Sequence, residues 1–220
     1  MKIVEKIKGL VSPKPALIEL FEDAAKDLQK ILNSLYRCLE ALCKQESGVI
    51  EKKAKKTISD ELHLHDLYHK IIQQMYTRET MNFSREDRQY IANQLLEIGD
   101  SADFVIRRLR AYRPNMSPIL GDIMLAGIGD IKDLGKYLKE LVRALFNNFE
   151  KAKNTIWEIH HIQRNMWVYE VDFLEAIYTT EQKVEDIIYY EILMRNLRRT
   201  ILIAVRFADG ARKLILKYTL

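Results

Sequence analysis

Glu61, His65 and His69 follow one another at i, i+4 and i+8, with His63 and Asp66 beside them, and Glu97, Asp100 and Asp103 follow at i, i+3 and i+6. Residues three or four apart share a helix face. Two helices folded back on each other would therefore gather imidazole nitrogens and carboxylate oxygens between them. Those are the atoms that divalent metals bind, and a mixed nitrogen and oxygen set suits zinc, nickel or iron. The candidate metal ligands are Glu61, His65, His69, Glu97 and Asp100. The competing readings are a hydrogen-bonded polar seam between helices and polar stripes facing water. A second arrangement uses Glu158 with His161 as E-x-x-H and Asp66 with His69 as D-x-x-H. Di-iron bundles use two E-x-x-H helices and a glutamate from each of two others; here one pair carries Asp.

Positioning these groups requires long helices, and the punctuation of the chain supplies them. The prolines are Pro13, Pro15, Pro114 and Pro118, so nothing forces a helix to break from 16 to 113 or after 118. The period of Leu17, Phe21, Ala24, Leu28, Ile31, Leu35, Leu39 and Leu42 predicts a first helix from 16 to 44. Further helices are expected at 49–80, 84–112, 119–147, 149–178 and 181–218. Breaks are expected at Glu46-Ser47-Gly48, at Thr80–Ser84 and at Arg113–Pro118, and Ser84 with Asp87 reads as a capping box. Thr179-Thr180 reads as a break and N-cap before Glu181. Gly121, Gly127, Gly129 and Gly135 make the start of the fourth helix the weakest expectation, or mark close packing or a bend.

An internal echo divides the chain. Lys26, Asp27, Leu28, Lys30, Leu32, Leu35, Arg37 and Leu39 recur 106 residues later as Lys132, Asp133, Leu134, Lys136, Leu138, Leu141, Arg143 and Leu145. KAKKTI at 53–58 recurs as KAKNTI at 151–156. The expected fold is all-α, six long helices in two tandem three-helix bundles (16–113 and 114–220) behind a linker at 1–15.

Bulk properties narrow the function classes. A chain of 220 residues with 48% hydrophobic content can bury a core, and a net charge of +4 does not by itself indicate nucleic acid. Cys38 and Cys43 fall in one helical run and read as inert thiols. Residues 1–12 are too charged for a signal peptide, and no apolar run is long enough for a membrane span, which leads to an expectation of a cytoplasmic protein. No nucleophile elbow, P-loop or dinucleotide fingerprint is present, so nucleophilic catalysis finds no support. Basic runs at Lys52–Lys56, Arg107–Arg113 and along 195–217 read as solvated faces, or as contacts for phosphate, an acidic partner or an anionic membrane surface. Trp157 and Trp167 read as core or interface.

LIELFEDAAKDL at 17–28 and HKIIQQMYTRETMNFSREDRQYIANQLLEIGDSAD at 69–103, with the duplicated plan, resemble the PhoU-like phosphate-transport regulators. The resemblance implies paired three-helix bundles with pseudo-twofold symmetry. It also implies a non-catalytic regulator or adaptor that acts through a membrane phosphate transporter or its signalling partner. A position at the inner membrane face and a homo-oligomer are compatible with that reading, and no nucleic-acid partner is expected because no reading motif accompanies the basic charge. The family's metal pattern is an acid, three residues, then Asp. Its places fall here at Glu61 and His65, at Leu96 and Asp100, near Gln163 and Trp167, and near Arg198 and Leu202. The first-half site is thus altered towards histidine, and the second lacks its carboxylates. The alternatives are a di-iron enzyme and a scaffold without a ligand.

Overall fold

The computed structural model describes residues 16–76 and 83–219. Over these the chain is all-α: α1 (Ala16–Cys43), α2 (Ser47–Gln74), α3 (Arg85–Ala111), α4 (Pro118–Asn147), α5 (Phe149–Thr179) and α6 (Val184–Thr219), with no strand among the described residues. The expected linker at 1–15, the end of the second helix and most of the Thr80–Ser84 connection lie outside them.

The apolar period read for α1 is its core: Leu17, Phe21, Leu28, Ile31, Leu35, Leu39 and Leu42 are all buried. Ala25, Ser34, Cys38 and Ala41 are buried as well, so α1 covers far more than one stripe. The reason is its position. Helix α1 packs against α2, α3 and α4; α4 packs against α5 and, only slightly, α6; α3 meets α6. Helices α1 and α4 are as closely paired as either is with its chain neighbour, while α2 and α5 do not touch. Burying each large aliphatic side chain along this pair contributes about 1.5–3 kcal/mol before entropy is counted.

Local chemistry sets the helix ends, and in two places it differs from the expectation. The break after α1 is made by Gln45, at φ 57°, and Gly48 lies inside α2. The N–H of Glu46 donates to Ala41 O (2.8 Å) and that of Gln45 to Leu42 O (3.1 Å), a Schellman closure that requires one left-handed residue. The Gln45 side chain offsets the strain by donating to Asn115 Oδ1 (2.8 Å) and Met116 O (3.2 Å), which ties this turn to the α3–α4 connection. At the other place, Thr180 does not cap α6. Its hydroxyl turns back to donate to Ala176 O (2.6 Å), closing α5, and α6 starts at Val184.

The remaining caps follow the sequence. Ser84 Oγ accepts from Asp87 N (3.2 Å), Ser117 Oγ from Leu120 N (3.4 Å) with Pro118 in the first turn, and Asn148 Oδ1 from Lys151 N (3.0 Å). The glycines of α4 neither break nor bend it out of its helix. A Cβ on Gly135 would lie 3.2 Å from Leu32 Cβ and 3.4 Å from Gln29 Cα, so its absence lets α4 approach α1. At Gly127 a Cβ would overlap the Tyr169 ring of α5 at 2.7 Å. No helix of the described residues is long and apolar enough to cross a membrane.

Candidate metal centre

Antiparallel packing of α2 on α3 brings Glu61, His65 and Asp100 together. Their ligand atoms lie within 4.8 Å of one another. His65 Nε2 stands 3.2 Å from Glu61 Oε1 and 3.1 Å from Asp100 Oδ1. One ring nitrogen therefore faces two carboxylates. Carrying a proton, it donates between them; without it, its lone pair joins two carboxylate oxygens as a three-ligand set. A tetrahedral ion with ligands at about 2.0–2.1 Å places neighbouring ligand atoms about 3.3 Å apart, which the two observed separations match. The donor types, one imidazole and two carboxylates, are those a borderline divalent ion takes, and the same two separations are hydrogen-bond distances; the Asp100 side chain, 48% exposed, leaves that side open to water.

The surroundings oppose a cation in part. Arg107 forms a close ion pair with Asp103, and its Nη2 reaches to 3.7 Å from Glu61 Oε2. Burial pushes the Asp103 carboxyl up, and Arg107 recovers only part of the shift; Asp103 Oδ1 is buried without a hydrogen-bond partner. Asp103 thus belongs to the wall of the cluster, and Arg107 couples that wall to Glu61.

His69 and Glu97 are not brought into this set. His69 is exposed, edge-on to the Tyr68 ring at 5.6 Å. Glu97 turns to α6, where Arg206 Nη2 holds one oxygen (2.9 Å) and Gln94 donates to the other (3.4 Å). His63, adjacent in sequence, points to α1 and forms a close pair with Asp27, a buried carboxylate that also takes Lys30 (2.6 Å). His160 meets Asp209 of α6 (3.0 Å), and His161 stacks on Trp157. The Asp66/His69 and Glu158/His161 pairs lie on α2 and α5, which do not touch, so they form no common centre. Sequence reasoning missed Arg107 as a neighbour of Glu61; the signal was its i+4 spacing from Asp103.

Burial pushes the Cys38 and Cys43 thiols up to about 12, which disfavours their thiolate forms. Trp157 and Trp167 are more than half exposed, which removes the core reading. No family model matches the chain, and no curated protein is significantly similar to it.

Proposed function

We propose that this chain is a non-catalytic regulator or adaptor of phosphate transport of the PhoU-like kind, built as two three-helix units, 16–113 and 114–220, that dock together on a membrane phosphate transporter or its signalling partner. The observation that carries the reading is a close approach of α1 and α4. Gly135 sits against Gln29, and the two are 106 residues apart, the offset of the sequence echo. Equivalent residues of two related units meet where the symmetry axis passes between them, so this contact supports a duplicated, twofold plan. The thin packing of α4 on α6 makes the second unit the looser of the two.

The docking surface on this reading is the exposed side of α5 and α6. Trp167, Val168 and Val171 stand open there, with Arg198 of α6 reaching across to Glu170 of α5 (3.3 Å). Aromatic residues and arginine are the types enriched in interfaces. Glu61, His65 and Asp100 would hold a divalent ion, which would supply a fixed link between α2 and α3 rather than a reaction. Phosphate uptake, measured with labelled phosphate in cells lacking this chain, is expected to change and to be restored by the full chain. Unchanged uptake and unchanged phosphate-starvation signalling would remove the assignment.

A further inference from the structure

We propose that a groove between α1, α2 and α4 binds a compact anion bearing several phosphoryl groups. Lys30 and Arg37 enter it from α1, Lys53 and Lys56 from α2, and Lys132 from α4. No carboxylate lines it. The two grooves along α3 and α6 differ: one sets Glu97 and Asp100 beside Arg199, the other sets Asp87 and Asp209 beside Arg206 and Lys213.

The charge in the groove is only partly neutralised from behind. Lys30 is paired with Asp27 (2.6 Å), but Asp27 also serves His63. Arg37 is paired with Glu40 (2.6 Å), which also takes Lys44 (3.0 Å). Lys53, Lys56 and Lys132 form no ion pair with a described residue; Asp60 acts on Lys56 and Lys30 from the side. The Tyr36 ring draws two of the cations inwards, with the Arg37 guanidinium 5.2 Å and the Lys132 ammonium 5.9 Å from its centre. Like charges lining one groove repel, and an anion with its own spaced charges relieves that repulsion while accepting charge-assisted hydrogen bonds.

Size and neutral donors define the class. The groove, open to solvent along one side, offers about 270 Å³ beside these cations. A single orthophosphate leaves most of that unfilled. Ser34, buried, and Asn33 line it and offer neutral hydrogen bonds between the cations. The positions 106 and 98 residues on keep part of the set as Lys136, Arg143 and Lys151, but place Glu140 where Ser34 stands and Asn154 where Lys56 stands. An acid in the floor would repel the same ligand, so the site belongs to one side of the molecule.

The test is calorimetric titration of the full chain, without divalent ions, using tripolyphosphate, ATP and orthophosphate. Tripolyphosphate is expected to bind saturably at one site. Lys53→Ala/Lys56→Ala/Lys132→Ala should weaken it at least about tenfold, and the exposed pair Lys56→Ala/Lys132→Ala several-fold. The charge-matched variant Lys136→Ala/Arg143→Ala/Lys151→Ala should stay within about twofold of the parent, with unchanged helical melts throughout. ATP binding comparably would assign the phosphoryl tail as the recognised part; tripolyphosphate alone would assign a free chain. Equal weakening in the two triple variants, orthophosphate binding as tightly as tripolyphosphate, or no saturable binding would each overturn the proposal. None of these outcomes bears on the transport reading, which stands on the α1–α4 contact.

Discussion

His65 is the pivot of the α2–α3 seam because a single nitrogen serves Glu61 and Asp100. Zinc measured by equilibrium dialysis is expected to bind the parent, and His65→Ala/Asp100→Ala should lose at least about tenfold in affinity. His69→Ala and Glu97→Ala should bind as the parent does, since one side chain faces water and the other is held by Arg206. Arg107→Gln should bind more tightly, because it removes a cation 3.7 Å from a ligand carboxylate. Equal zinc content in the parent and the double variant would sink the assignment. The cluster was legible in sequence only in part, and the geometry explains the shortfall. Each step of four residues turns a helix about 40° beyond a full circle, so His69 lies about 80° round from Glu61. The partner of Glu97 comes from α6, 109 residues away, a distance no local spacing reports.

A clasp at the start of α3 joins it to the end of α6. The Ser84 N–H donates to Tyr218 Oη (2.7 Å), the Tyr218 hydroxyl donates to Asp87, and Lys217 Nζ reaches the same carboxylate oxygen (2.7 Å). Tyr218 thus satisfies the donor that the third residue of a capping box would otherwise take. Burial pushes the Asp87 carboxyl up, but the bonds from Lys217, Tyr218 and Ser84 outweigh it and hold it below the usual range. A depressed carboxyl contributes stability that is present above the ordinary value of about 3.9 and lost as pH falls through its folded value. Asp60 and Asp130, raised by burial, act in the opposite sense and cost stability once ionised. Tyr218→Phe should therefore cost about 1–2 kcal/mol in urea unfolding at neutral pH. Amide exchange should quicken first in the last turns of α6. Asp87→Asn should flatten the acid limb of stability; a limb of unchanged slope would show that the clasp contributes nothing. The cap itself was readable from Ser84 and Asp87. Its third member was not, nor was the start of α6, because the Thr180 hydroxyl had a carbonyl behind it as well as an amide ahead.

The molecule as a whole is organised about the α1–α4 pair, and its close approach depends on Gly135. Gly135→Leu should destabilise by about 1–3 kcal/mol through overpacking against Leu32 and Gln29, despite the helix preference of Leu. Gly129→Leu on the same helix meets nothing within 4 Å and should be neutral or stabilising by up to about 1 kcal/mol. Similar urea midpoints for the two variants would remove the packing account. Helix number and near-boundaries were legible because long apolar periods run between sparse prolines. The partner of α1 was not, since a helix apolar on several sides states that it is central without saying what covers it. That centrality has a consequence during synthesis. The side of α1 that α4 covers stays bare until about a hundred further residues have left the ribosome, roughly 5–20 s at ordinary translation speeds. A nascent chain of this design presents a greasy surface for that interval, a natural substrate for holding chaperones such as those stationed at the exit tunnel.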